Sequence, residues 1–440
     1  MEKQGAWVPV PLFHTTVSEE LYDVEERALA VIRPFNSLRP REDVVSKVAA
    51  LPYDVYNRQE ALEEVLKQPL SFLKIDRAET QFDKDFNPYD TKVYEKARDS
   101  LQDMINDGLL IKEGQCCYYV YELTMDGRSQ TGLVGCAAID DYLGNVIKKH
   151  EKTREDKEID RINHVDICNA QTGPIFLAYR SQKIINQVVD SIKKETQLYD
   201  FVAPDGVRHT VWKVDQESDI ETLSTEFKTI QSIYIADGHH RTASAVKVGL
   251  KRREENPGYT GDEEYNFFLS VLFPHDQLMI LDYNRVVKDL NQHSKDEFLA
   301  EVSKAFLVEE MGAEPYKPIE KSTFGMYVEG VWYKLTAKDE IRSTNPVDGL
   351  DVALLQNHIL TPVLNIIDIR TDKRIDFVGG IRGLKELEKR ANCDMKLAFS
   401  MFPTSINELF EVSDAGQLMP PKSTWFEPKL RSGIFIHELS

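Results

Sequence analysis

The chain has few cysteines and no long apolar run, and each absence excludes a class of protein. Its five cysteines are scattered over 440 residues, and none has a partner at the spacing of a metal-binding pair. Such a pattern is typical of buried thiols in a reducing compartment and predicts a cytoplasmic protein. No stretch of 18 apolar residues occurs, so the sequence predicts no membrane-spanning helix. The first residues, 1–7, lack the apolar core of a signal peptide, so no export is expected.

The chain also lacks a surplus of basic residues. Lysine and arginine number 54 against 73 aspartates and glutamates, which makes the formal net charge −19. An acidic protein has no general attraction to nucleic acids or anionic membranes, so the composition argues against both partners. Hydrophobic residues make up 42% of the chain, which predicts a folded rather than a disordered protein.

The most informative stretch is residues 230–251, where a predicted strand leads into a predicted helix. The apolar run 230–236 predicts a short buried strand, and 241–251 predicts a helix. Backbone N–H groups at the start of a helix attract anions, so this junction predicts a phosphate site. Between strand and helix lie an acid, a glycine and two histidines, Asp237, Gly238, His239 and His240.

The residue types around this junction indicate how an anion would be held. Arg241 and Thr242 fall in the first helical turn and offer a bidentate cation and a hydroxyl donor for phosphate oxygens. Asp237 would repel a bare phosphate, which favours either a bound magnesium ion or a hydroxyl to be deprotonated. Two alternatives stay open here. The polar residues cap the helix, or His239 and His240 chelate a metal, although adjacent side chains leaving a strand diverge.

Two further polar stretches are candidates for the same site. The charged run 148–157 is on composition alone typical of a solvated helix face. It is followed, however, by a mixture of amides, a hydroxyl and a glycine at 163–174, just before a buried strand, and polar groups at strand ends commonly line a cleft. The stretch 419–433 holds three cations among prolines and either closes over an anion or protects a sheet edge.

Local patterns predict a chain of mixed elements. Helices are expected at 42–50, 59–66 and 92–107, a strand at 28–32, and another strand at 69–75. Hairpins are expected at 117–139 through Asp126-Gly127 and at 324–334 through Glu329-Gly330. Asp54 is expected in a loop, because the helix at 42–50 ends before Pro52.

These motifs carry a resemblance. Over nearly its whole length the chain resembles a large bacterial family described only as proteins of unknown function, through the stretches 52–55, 148–151, 169–174, 237–241 and 422–426. The segment 28–41 and the Asp-Gly-His-His-Arg box at 237–241 also resemble the ParB/sulfiredoxin superfamily. The most similar form is that of the free serine kinases, which phosphorylate L-serine itself, some of them with ADP as the donor.

The resemblance implies an α+β fold with mixed, largely antiparallel sheets, built on a ParB/sulfiredoxin-like nucleotide-binding core with long insertions. It implies an extension at 1–25, a core with an inserted hairpin region at 26–260, and an α+β region at 261–440 packed on the core. Sulfiredoxins carry a catalytic cysteine where this chain has His239, so a thiol mechanism is not expected. ParB proteins carry a basic DNA-binding region, which this acidic chain lacks.

The function implied is a kinase that transfers a phosphoryl group from ATP or ADP, with Mg²⁺, to the hydroxyl of free L-serine or a similar alcohol. Asp237 would hold magnesium or orient the hydroxyl, and His239 would stabilise charge on the transferred group. The general base would be Glu42 by position in the resemblance, or else Asp54 or Glu151. The residues expected at the nucleotide are Gly238, His240, Arg241, Thr242, His150, Arg154 and Lys422.

Two other functions remain open from the sequence. The chain could be a ParB-like regulator that binds a nucleotide without turnover, or a carbohydrate or phosphometabolite binder. The sequence expects a small-molecule partner and neither nucleic acid nor membrane. It leaves the oligomeric state open, a homodimer included.

Overall fold

The computed structural model describes residues 29–440. The predicted extension at 1–25 and the first residue of the predicted strand at 28–32 therefore lie outside the described residues. Within 29–440 no helix is long and apolar enough to cross a membrane. All five cysteines are free, and two of them, Cys116 and Cys393, are exposed rather than buried as expected.

Twenty-one strands are distributed along the described chain. They are β1 Ile32–Arg33, β2 Leu38–Pro40, β3 Leu110–Lys112, β4 Tyr118–Met125, β5 Arg128–Ala138, β6 Ile147–Lys148, β7 Ala170–Gln171, β8 Ile175–Tyr179, β9 Tyr199–Val202, β10 Arg208–Val214, β11 Ile233–Asp237, β12 Phe267–Pro274, β13 Ile280–Leu281, β14 Tyr283–Val287, β15 Phe306–Gly312, β16 Thr323–Val328, β17 Val331–Ala337, β18 Ile375–Gly379, β19 Leu397–Met401, β20 Trp425–Phe426 and β21 His437–Glu438.

Thirteen α-helices lie between these strands in residues 29–440, besides shorter helical turns. They are α1 Val45–Val48, α2 Arg58–Lys67, α3 Leu73–Asp76, α4 Thr91–Asn106, α5 Ile139–Leu143, α6 Glu155–Cys168, α7 Lys183–Ile192, α8 Glu217–Phe227, α9 His239–Glu255, α10 Lys295–Ala305, α11 Asp351–Leu355, α12 Gly383–Cys393 and α13 Ile406–Asp414.

A nine-stranded sheet forms the larger half of the fold. Its strand order is β6-β11-β8-β12-β5-β4-β10-β9, and β1 pairs with β5. Only the pairs β6–β11 and β8–β12 in it are parallel. The hairpin β4–β5 turns at Asp126-Gly127, where both residues have a positive φ, the geometry of a tight hairpin turn. This confirms the predicted α+β fold with mixed, largely antiparallel sheets.

Both faces of the nine-stranded sheet are buried. Tyr118 and Val120 point into one apolar cluster with helices α7 and α8, while Tyr119 and Tyr121 point into another. Because side chains alternate along a strand, a continuous apolar run such as β4 is expected only where both faces are covered. The second cluster continues into the other large sheet, so the two sheets share one core.

The second sheet has six strands in the order β15-β17-β16-β19-β14-β18, all antiparallel. Its hairpin β16–β17 turns at Glu329-Gly330, as the sequence predicted. Strand β18 is an edge, paired only with β14, and it faces the cleft described below. The domain boundary predicted at 260 stays a prediction; β12, which follows it, lies in the nine-stranded sheet.

One predicted strand is wrong, and of the described part of the strand predicted at 28–32 only Ile32 lies in a strand, β1. Residues 69–75 form a turn followed by the short helix α3, which packs against α4, and the helix predicted at 59–66 is confirmed as α2. The buried side chains Phe72, Leu73 and Ile75 are a short apolar run, and such a run does not distinguish a strand from a buried helix. In this protein the run forms a helix, because its apolar side chains pack against α4.

Candidate functional site

A cleft of about 890 Å³ opens where the C-terminal ends of β6 and β11 face the edge strand β18. The parallel pairing of β6 with β11 brings both strand ends to the same margin of the sheet. Segments far apart in sequence therefore meet there. The lining residues come from within 53–58, 77–89, 151–161, 237–241, 369–377 and 421–422.

The junction between β11 and α9 occupies the inner end of the cleft. Gly238 has φ 96° and precedes the first residue of the helix, and no side chain caps this helix end. The first N–H groups of α9 are thus without an intrahelical acceptor and open to an anion. A side chain at Gly238 would be strained by the positive φ and would lie about 3.2 Å from the guanidinium of Arg241.

Arg241 reaches across to the loop before β8. Its Nη1 donates a hydrogen bond of 2.6 Å to the carbonyl oxygen of Pro174, which leaves its other nitrogens beside Gly238. The predicted segment 163–174 therefore touches the site by holding this arginine. The contact fixes the cation over the start of α9, where a phosphate group would lie.

Asp237 is not a free carboxylate. Its Oδ2 accepts a hydrogen bond of 2.9 Å from Lys429 Nζ. Burial raises the pKa of the Asp237 carboxyl, but Lys429 and Arg241 outweigh burial and hold that pKa well below its usual value. Asp237 is therefore ionised throughout the physiological pH range. Sequence reasoning missed Lys429 as a site residue, although the cations of the stretch 419–433 were the signal for it.

His240 and Thr242 serve local structure in different ways. His240 Nε2 accepts a hydrogen bond of 3.0 Å from the backbone N–H of Arg154, which ties the loop before α6 to the start of α9. Burial lowers the pKa of His240. Thr242 is fully buried and outside the cleft lining, and its hydroxyl donates to the carbonyl oxygen of Gly238 at 3.1 Å.

His150 and His239 pack together beneath the cleft. Their rings meet edge to face with centroids 4.5 Å apart. His150 Nδ1 and His239 Nε2 are both buried without a hydrogen-bond partner. One atom of each ring and a carboxylate oxygen of Glu151 lie within 4.8 Å of one another. This is the one group in residues 29–440 with such an arrangement of His, Cys, Asp and Glu atoms.

Burial shifts the protonation of all three residues. It lowers the pKa of His150 to about 4, against the opposing effect of Asp237. It also lowers the pKa of His239, and His150 adds to that effect. Burial raises the pKa of Glu151, Lys422 opposes the shift and Asp237 adds to it. Both histidines are therefore neutral at pH 7, each with a lone pair on one ring nitrogen.

The three acids predicted as candidates for the general base differ in their position relative to the cleft. Asp54 is exposed and lines the cleft, and Glu151 is half-buried and lines it as well. Glu42 is exposed and lies outside the cleft lining. Lys422 also lines the cleft, and its ammonium lies 5.6 Å from the ring centre of Tyr283.

The cleft is cationic in an acidic protein. Ten lysines and arginines line it against seven aspartates and glutamates, whereas the whole chain carries a net charge of −19. Lys152 and Lys157 belong to the charged run 148–157 that the sequence offered as a candidate. The cations that sequence reasoning missed are Arg58, Arg77, Arg370 and Lys373.

Some of these cations already form ion pairs with acidic side chains of the protein. Arg161 forms an ion pair with Asp160 at 2.8 Å and lies 4.1 Å from the ring centre of Tyr53. Arg370 pairs with Asp368 at 2.8 Å. After these pairs are counted, the lining still holds three more cations than acids, which favours a small polyanion.

A family model described as "Protein of unknown function (DUF1015)" matches residues 32–353. The chain therefore belongs to this family, which confirms the resemblance found from its motifs. A search of curated proteins finds no match.

Among solved structures, free serine kinase in complex with AMP is similar at 14% identity and a TM-score of 0.34, covering 67% of this chain and 86% of that chain. A point mutant of free serine kinase in complex with ADP gives 14% identity, a TM-score of 0.35, and 67% and 87% coverage. SbnI from Staphylococcus aureus, truncated at its C-terminus, gives 10% identity, a TM-score of 0.36, and 67% and 82% coverage. Similarity at this level does not transfer an activity.

Proposed function

We propose that this member of the DUF1015 family is a phosphotransferase that moves a phosphoryl group from ATP or ADP to a small alcohol, with L-serine as the first acceptor to test. The observation that carries the proposal is the surplus of cations around the uncapped start of α9 in a chain of net charge −19. Phosphoryl transfer depends mainly on positioning and charge neutralisation, and this cleft offers both.

The phosphate groups would lie over the first turn of α9. The first N–H groups after Gly238 have no side-chain cap, and two nitrogens of the Arg241 guanidinium lie close to Gly238. Lys422 lines the same cleft. His240 would act indirectly, because its ring holds the backbone of Arg154. These contacts support the phosphate site that the resemblance of the Asp-Gly-His-His-Arg box implies.

Asp54 is the proposed general base. The acceptor's hydroxyl oxygen would attack the terminal phosphorus while its proton passes to a carboxylate, and the bond to the bridging oxygen breaks to release the shortened nucleotide. Asp54 is exposed in the cleft and has no side-chain ion pair among the described residues, so it is free to accept a proton. Glu151 is the second candidate, and Glu42 would have to reach the cleft from outside it.

Magnesium is the proposed companion of the nucleotide. Asp237 is ionised, and since Lys429 occupies Oδ2, its Oδ1 is the oxygen left for a metal. One carboxylate contact suits Mg²⁺, which keeps several waters and shares phosphate oxygens. When bound, the ion would neutralise charge between the phosphate groups. The free thiols are consistent with a cytoplasmic site of action.

The test is a search for the phosphorylated product. The purified protein with magnesium and labelled ATP or ADP is incubated with each member of a panel of amino acids and small alcohols. We expect O-phospho-L-serine from one nucleotide, and no product from alanine, because a site built for a hydroxyl leaves polar groups unpaired without it.

Other outcomes assign other functions. Equal product from many unrelated alcohols would remove serine as the acceptor and keep the kinase. Nucleotide binding or hydrolysis without any phosphorylated acceptor would favour a regulator instead, and so would a rate that rises when DNA is added.

A further inference from the structure

Two buried histidines at the floor of the cleft each leave one nitrogen without a partner. His150 is 2% exposed and His239 is 6% exposed, and neither His150 Nδ1 nor His239 Nε2 has a hydrogen-bond partner. A buried polar atom without a partner costs about 1–3 kcal/mol. The two rings have centroids only 4.5 Å apart, and one nitrogen of each lies within 4.8 Å of the other and of a Glu151 oxygen, which indicates a shared ligand.

The charge of the surroundings decides what kind of ligand this is. The third group of the cluster is the carboxylate of Glu151, one oxygen of which lies within 4.8 Å of a nitrogen of each ring. At that distance the carboxylate repels an anion and attracts a cation. A phosphate oxygen therefore fits the start of α9 and not the space between the two rings.

The types of the three donors narrow the cation further. Imidazole nitrogens favour zinc and neighbouring transition metals, whereas magnesium and calcium prefer sites made of oxygen alone. Two histidines with one carboxylate is a ligand set that zinc uses in catalytic sites, where a fourth position stays open.

The strand pairing holds the proposed donor residues close together in the absence of a metal. Two residues after β6, His150 follows a strand held in parallel register against β11, and His239 follows β11 itself. The carbonyl oxygen of His150 also accepts a hydrogen bond of 2.7 Å from the N–H of Met419. The ligand atoms are thus brought within 4.8 Å of one another by backbone contacts, before any ion binds.

We propose that His150, Glu151 and His239 bind one divalent transition-metal ion, with Zn²⁺ as the first candidate. The open position of the ion would face the cleft, since Glu151 and His239 both line it. This ion is separate from the magnesium proposed at Asp237. The proposal does not depend on phosphotransferase activity, because metal binding is measured without any nucleotide.

The experiment measures metal content directly. The full-length protein is stripped with a chelator, dialysed, titrated with Zn²⁺ and analysed by atomic emission, and a parallel sample is loaded with Co²⁺ for visible absorption. We expect one ion per chain, a higher melting temperature with metal, and Co²⁺ bands typical of four or five ligands. Glu151→Gln, His150→Ala and His239→Ala should each weaken Zn²⁺ binding at least tenfold.

A matched control separates this site from adventitious binding. His358→Ala removes a half-buried histidine outside the cleft lining and should leave the affinity and the Co²⁺ spectrum unchanged. Glu151→Gln keeps the shape of the side chain, so it tests the site even if a histidine variant fails to fold. Absence of stoichiometric metal in the folded wild type, or unchanged affinity in folded Glu151→Gln, would overturn the proposal.

Discussion

Two groups of buried polar side chains, one in each large sheet, differ in whether they have hydrogen-bond partners. Under the six-stranded sheet, both carboxylate oxygens of Asp351 accept the N–H of Ser322, at 2.9 and 3.0 Å. In the same sheet, Asn284 accepts the N–H of Met401 at 2.9 Å. At the end of the nine-stranded sheet, His150 and His239 each keep a nitrogen without a partner.

A missing partner alone does not mark a functional residue, since the buried hydroxyl of Ser400 in β19 also lacks one. What distinguishes His150 and His239 is that their rings pack together and that His239 lines the cleft. A satisfied buried polar group specifies how a core packs and needs nothing further. An unsatisfied group next to a cleft is costly unless a ligand completes it. The six-stranded sheet therefore supplies a wall for the cleft, through β18 and the loop before it, while the nine-stranded sheet supplies the proposed chemistry.

The largest expected effect comes from a substitution of the proposed general base, Asp54. Asp54→Asn should lower the rate of phosphoryl transfer by about a hundredfold or more, because it removes the proton acceptor. Nucleotide affinity, measured by calorimetry, should stay the same. Glu42→Gln is the matched control outside the cleft and should keep the wild-type rate. A full rate in Asp54→Asn together with a loss in Glu42→Gln would reverse this assignment.

A smaller effect is expected at the start of α9. Arg241→Ala should weaken nucleotide binding about thirtyfold, or roughly 2 kcal/mol, because a cation fixed over the helix start is lost. The melting temperature should fall only slightly, through the lost bond to Pro174. Arg253→Ala, near the other end of the same helix, breaks a pair with Asp140 and should not change nucleotide affinity. Collapse of stability with unchanged affinity would make Arg241 structural.

The buried carboxyl of Asp351 predicts that the stability of the folded protein depends on pH. Burial raises the pKa of Asp351 to about 7, although the Ser322 N–H opposes the shift. Between about pH 4 and 7 the folded protein keeps a proton that the unfolded chain has released, so stability falls as pH rises and levels off above about 7. Asp351→Asn should remove this loss.

The measurement is denaturant unfolding at pH 6 and pH 8. The wild type should lose about 1 kcal/mol more than Asp351→Asn between these pH values, since one pKa unit corresponds to about 1.4 kcal/mol. Identical losses in the two proteins would show that Asp351 ionises normally in the folded state.

The smallest expected effect concerns Thr242. Its hydroxyl is fully buried and donates to Gly238, so Thr242→Val should cost about 1 kcal/mol of stability and leave nucleotide affinity within twofold. Unfolding curves and calorimetry on the same preparation check both values. A tenfold loss of affinity would restore Thr242 to the phosphate donors that the sequence predicted.

Local elements were predictable because their signals are local. The hairpins at Asp126-Gly127 and Glu329-Gly330 were found because tight turns need residues that tolerate a positive φ. The strand and helix around Gly238 were found for the same reason, together with apolar periodicity. The short run 69–75 was mistaken because its pattern suits a strand and a buried helix equally.

By itself, then, the sequence determined most of the elements, the family and the strand-glycine-helix junction at 237–241, since each depends on neighbouring residues. Tertiary structure alone decided which polar groups meet. It paired Asp237 with Lys429, 192 residues away, brought Asp54 and Glu151 to the cleft and kept Glu42 outside it. It also buried two histidine nitrogens without partners. The physical reason is that charge, burial and unmade hydrogen bonds depend on groups contributed by distant segments, and no local pattern specifies them.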